Sequence, residues 1–177
     1  LARVELAGFE VGARGQELGG WLATRTQDQV LPFLDLQYLY GLARAGRAEA
    51  DVLMANIEAH AAGHPGVWRE VALPAARGLV AHARGDMQRT LDGLGQALPR
   101  MLEIGGSHAQ RDLFDQIHLD ALLRAGHRSA AQHLVQQRWR ATPASRRLAR
   151  QARVTLDGLG LGGSFDKFQP PGAKDAA

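Results

Sequence analysis

The chain has 177 residues, 45% of them hydrophobic and 22% charged, with no cysteine, and its 21 basic and 18 acidic residues give a formal net charge of +3. The missing cysteines exclude disulfides and thiolate metal sites, and so small a net charge points away from nucleic acid as the partner. No apolar run approaches the roughly 18 residues of a membrane-spanning helix, and Glu5 and Glu10 come too early for a secretory signal, so a cytoplasmic protein with no membrane partner is expected.

Aromatic residues make up only 6%, so Leu, Ala and Val must fill the interior, a composition that suits closely packed helices. Residues 1–19 predict an amphipathic helix with Val4, Leu6, Phe9 and Val11 apolar, weakened by Gly8, Gly12 and Gly15 at roughly 1 kcal/mol each. GGWLATRTQDQVLP then predicts a loop. Beyond it three segments resemble one another: GLARAGRAEA around Gly46, LVAHARGDMQ around Gly85 and LLRAGHRSAA around Gly126.

These glycines stand 39 and 41 residues apart, and each separates two apolar helical patterns. A period of about 40 marks helix-turn-helix arrays, of which tetratricopeptide units are about 34 residues long and armadillo or HEAT units about 40 to 47, so these are degenerate repeats. In all of them a residue that tolerates positive φ ends one helix and lets the next fold back. The pattern predicts helix pairs at 33–45 with 48–62, 67–84 with 86–102 and 107–125 with 128–140, and a capping helix at 144–157. Gly78 and Ala81 are small enough for close helix approach, and Ala131 and Pro143 sit where a close-packing residue and a terminator are needed. The expected fold is all-α, a tetratricopeptide-like array of helical hairpins forming a right-handed α-solenoid over residues 1–157, followed by a Gly/Pro-rich tail at 158–177.

The stretch EIGGSHAQRDLFDQIHLDALLRAG carries the densest set of functional groups. Ser107 and Gln110 have capping-box spacing, with Gly105 and Gly106 turning the chain in front of them. Leu113, Phe114, Ile117, Ala121 and Leu122 form the apolar stripe, while His108, Arg111, Asp115 and His118 fall on a second stripe with Arg111/Asp115 at i,i+4 and Asp115/His118 at i,i+3. Three readings stand side by side: a solvated, self-paired face, a partner-binding groove, and a catalytic or metal site. The residues call for no metal or cofactor, because one helix offers at best two ligands and GLGLGG at 158–163 lacks the Lys-Ser/Thr pair of a phosphate loop. Ser107, His108 and Asp112 have the letters of a triad without its geometry.

Further on, Arg138, Arg140, Arg146, Arg147, Arg150 and Arg153 form a basic run without an acid up to 156. Arg146, Arg150 and Arg153 share a helical face and make a candidate anion-binding surface, with a solvated face as the alternative. Trp21, Trp68 and Trp139 adjoin predicted boundaries and read as packing residues.

PFLDLQYLYGLA (32–43), REVALPAARGLVAHARGD (69–86) and above all GGSHAQRDLFDQIHLDALL (105–123) together resemble the tetratricopeptide repeat protein 38 family. The family's Gly-Gly-Ser-x-Ala-Gln-Arg-Asp-x-Phe-x-Gln pattern is met by Gly105, Gly106, Ser107, Ala109, Gln110, Arg111, Asp112, Phe114 and Gln116. The resemblance spans about residues 4–157 and implies that the chain is the C-terminal part of a longer family member. The family's Asp-x-His is here Asp35, Leu36, Gln37, and its Val-Gly-Asp/Glu-Arg-Trp is Val11, Gly12, Ala13, Arg14, Gly15, so an acid and a histidine of that pattern are absent. The resemblance implies a fold and no reaction. The functional expectation is a non-enzymatic interaction module that binds a protein or peptide segment in a groove, with Gln37, Arg77, Gln110, Arg111, Asp115 and His118 as candidate contacts. The alternatives are part of an enzyme using Arg111, Asp115 and His118, and an anion- or nucleic-acid-binding surface on the 138–153 arginines.

Overall fold

The computed structural model describes residues 1–141, so Arg146, Arg150, Arg153, the predicted helix 144–157 and the tail 158–177 lie outside the described residues. All regular structure among the described residues is helical: α1 (Ala2–Leu6), α2 (Arg14–Leu22), α3 (Pro32–Arg44), α4 (Glu49–Gly63), α5 (Leu73–Ala83), α6 (Met87–Ala97), α7 (His108–Arg124) and α8 (Arg128–Ala141). No described helix is long and apolar enough to cross a membrane. The described chain divides into two units, the first ending at Ala121 and the second beginning at Leu122.

In the first unit Leu36 and Leu39 of α3, Leu53 and Ile57 of α4, Leu79 of α5, Leu94 of α6 and Ile117 of α7 are wholly buried in one core. Leu36 with Leu39 and Leu53 with Ile57 stand at three- and four-residue spacing, one stripe on each of α3 and α4, and the shared burial holds helices too short to persist alone. Phe33 and Phe114 meet edge to face with ring centroids 6.4 Å apart. A contact of this kind adds about 0.5–1.5 kcal/mol beyond the area it buries. In the second unit Ala131 and Val135 of α8 are buried.

The three spaced glycines do one job. Gly46, Gly85 and Gly126 have φ of 65°, 85° and 78°. After each, the next amide reaches back five residues, from Arg47 to Leu42, Asp86 to Ala81 and His127 to Leu122, at 3.1, 2.9 and 2.8 Å. This is the Schellman closure, in which a left-handed residue satisfies the last carbonyls of a helix and turns the chain back. The amide of Arg89 donates to the Asp86 carboxylate at 3.0 Å, so the second of these turns also starts the next helix.

Residues 1–19 do not form one helix: α1 ends at Leu6 and α2 begins at Arg14, because Gly8 and Gly12 take positive φ of 86° and 55°. Nor is the stretch from Gly19 a loop, since α2 runs to Leu22 and a 3₁₀ turn follows at Ala23–Arg25. Gly19 is buried there, and a Cβ on it would lie 2.7 Å from that of Ala45, so the glycine lets α2 dock on the end of α3. The segment before α5 is a wide π turn over Trp68–Ala72, which accommodates Pro74 and its missing N–H. The helix expected to reach 102 passes from α6 into a 3₁₀ segment, Leu98–Ile104, around Pro99.

Candidate functional site

The residues that drew attention in the sequence are dispersed by the fold. The capping box is closed in both directions: the Gln110 amide donates to Ser107 Oγ at 3.2 Å, and the Ser107 amide donates to Gln110 Oε1 at 2.8 Å. Arg111 donates through one guanidinium nitrogen to the carbonyls of Gly105, at 3.0 Å, and Gly106. Both side chains therefore bind the turn that precedes α7. His108 is exposed, while Asp115 and His118 are half-buried. His118 Nδ1 has no hydrogen-bond partner, and burial draws the ring's pKa below the ordinary histidine value. Gln37 and Arg77 line two separate depressions of the first unit.

The depression holding Arg77 is a groove of about 600 Å³ over α4, α5 and α6. Its apolar surface comes from Met54, Pro74, Val80 and Ala81, and its charges are Arg77, Arg84 and Arg89 among Glu58, Asp86 and Asp92. Arg77 is paired with Glu58 at 2.9 Å, Arg84 with Asp51 and Arg89 with Asp86 at 3.4 Å. These exposed pairs are individually worth about 0–1 kcal/mol, so incoming carboxylates can exchange with the resident ones at little cost. The groove exists because Gly78 and Gly93 bring α5 and α6 together: a Cβ on Gly93 would lie 2.6 Å from the Pro74 carbonyl oxygen and 2.8 Å from the Gly78 nitrogen.

The second depression, of about 350 Å³, is lined by Gln37, Tyr40 and Arg44 of α3, by Glu5 of α1, and by Leu22, Leu36 and Phe114 among its apolar residues. Behind it runs a polar chain that is buried at Tyr40 and His82 and half-exposed at Asp120. Tyr40 Oη lies 2.9 Å from His82 Nδ1, and His82 Nε2 lies 2.8 Å from Asp120 Oδ2. The carboxylate can only accept, so Nε2 carries the proton, and in the neutral ring Nδ1 accepts from the tyrosine hydroxyl. Tyr40 and His82 are 5% and 3% exposed, so this chain replaces water for both groups. It joins α3, α5 and α7 by one residue each, 42 and 38 positions apart. That near-40 spacing, shared with the glycines, is the sequence signal that would have found it.

Arg44 pairs with Glu5 at 3.0 Å. The bond to Glu5 raises the guanidinium pKa most, burial opposes it, and the nearby Tyr40 and Asp120 add to the rise. At the other end of α1, Arg3 pairs with the buried Asp112 at 2.8 Å and donates to the carbonyl of Ala109, while Gln116 donates to the same carboxylate at 2.6 Å.

One buried acid is only weakly compensated. Asp35 is 1% exposed and neither carboxylate oxygen has a hydrogen-bond partner. Burial pushes its pKa up to about 6, the charge of Asp28 adds to the rise, and only the backbone of Gln29 acts against it. Gln29 itself has φ of 31°, the positive value of a strained non-glycine residue. Among the described residues no group of three or more His, Asp or Glu side chains is placed to hold a metal ion.

The described chain thus belongs to the all-α class, and its first unit holds the two depressions and the Tyr40–His82–Asp120 chain. A scan against models of known protein families finds no match, and a search of solved structures finds none.

Proposed function

We propose that the protein is a tetratricopeptide-like helical-repeat module of the tetratricopeptide repeat protein 38 family that binds a short acidic peptide segment of a protein partner. The groove over α4, α5 and α6 carries this reading, because its apolar floor and three arginines match the two needs of such a ligand, buried aliphatic area and paired carboxylates. The regular Schellman turns support the repeat architecture, since they give successive helices the same fold-back at a period of about 40. Of the groove residues read from the sequence, Arg77 is the one retained in this role.

A fluorescein-labelled peptide of alternating aspartate and leucine tests the reading by anisotropy. The Arg77→Ala, Arg89→Ala double variant is expected to bind at least about ten-fold more weakly, with unfolding free energy within about 1 kcal/mol of the parent. Equal affinity in the variant would remove the groove from consideration.

A further inference from the structure

We propose that the cavity lined by Gln37, Tyr40 and Arg44 is a second, small-molecule site, which takes a monocarboxylate with an apolar body, and that Glu5 holds the carboxylate position on Arg44 until such a molecule displaces it. At about 350 Å³ the cavity is at the small end of ligand pockets, which begin near 300 Å³. Val11, Leu18, Leu22 and Leu113, all at least partly exposed, supply apolar wall, so an aliphatic or aryl body gains by entering.

Its polar groups are few and unequal in freedom. Arg3 is bound to the buried Asp112 and to backbone carbonyls, and so is committed to the fold. Tyr40 is bound to His82. Arg44 differs, because its carboxylate partner is Glu5, a residue of the five-residue helix α1 that also lines the cavity. The Arg44 and Glu5 side chains are 36% and 27% exposed, and a pair this open is held weakly enough to exchange. When Glu5 leaves, the Arg3 bond to Asp112 still holds α1 in place. A ligand carboxylate then takes over a guanidinium geometry that already suits one. One negative charge fits and two do not, since a single arginine would face a dianion with Asp120 close by.

Octanoate titrated into the full chain, followed by saturation-transfer NMR and calorimetry, is the test. Octanoate should bind the parent, bind Glu5→Gln about five-fold more tightly, and bind Arg44→Gln at least about ten-fold more weakly, with octanol failing to compete. Equal affinity in Arg44→Gln, octanol binding as well as octanoate, or no binding to Glu5→Gln at about 10 mM ligand would each overturn the proposal. Thermal melts establish that both variants fold. If Arg44→Gln does not, the gain in Glu5→Gln and the octanol comparison decide.

Discussion

Alanine at Gly93 is expected to lower the unfolding free energy by about 2 kcal/mol, whereas alanine at Gly95, two residues along the same helix, raises it by about 0.5–1 kcal/mol. Both changes improve intrinsic helix propensity equally, so the difference isolates packing. A Cβ at Gly93 meets the Pro74 carbonyl oxygen at 2.6 Å and the Gly78 nitrogen and Cα at 2.8 and 2.9 Å, all backbone atoms that move only if α5 and α6 part. At Gly95 a Cβ meets nothing within 4 Å. Urea denaturation of the two variants measures both signs, and a Gly93→Ala protein as stable as Gly95→Ala would contradict the close approach that shapes the groove.

Asp35→Asn is the opposite case, a substitution in the core expected to stabilise. With its pKa moved from 3.8 to about 6, the carboxyl is held more firmly in its protonated form by the fold than by the unfolded chain. The stability it contributes is therefore fully present below pH 3.8 and is lost as pH rises through about 6. A shift of this size corresponds to about 3 kcal/mol at neutral pH, and the amide, which brings donors of its own, should recover about 2 of it. The gain over the parent should shrink toward zero as pH falls from about 7.5 to about 4. His118 has the opposite dependence: burial lowers its pKa, so its contribution is lost as pH falls, but it cancels in the comparison of variant with parent. A destabilised Asp35→Asn at about pH 7.5 would show that the charged carboxylate is needed in the fold.

The local chemistry of turns is the most legible part of this sequence. Gly46, Gly85 and Gly126 stand out because a left-handed residue after an apolar helical stretch has few substitutes, and Ser107 with Gln110 because a capping box has fixed spacing. Gly8 and Gly12 were less legible: a glycine inside an amphipathic pattern reads as a weakened helix unless its φ is known, and here both are positive. Gly93 and Gly95 look alike in the sequence and differ only in which side of α6 faces α5. The polar stripe on α7 was visible, yet the destinations of its side chains were not, because Arg111 turns back to carbonyls five and six residues earlier. Long-range pairs were the least accessible. Tyr40, His82 and Asp120 belong to three helices, and no local pattern joins them.

Hydrogen–deuterium exchange on the full chain, with and without saturating Asp/Leu peptide, locates the peptide surface most directly. Slowed exchange confined to α4, α5 and α6, and absent when Arg77 and Arg89 are alanine, is the predicted result. Protection that falls on α1, α3 or α7 while the α4–α6 amides exchange unchanged, or no protection anywhere, would contradict the assignment of peptide binding to this groove.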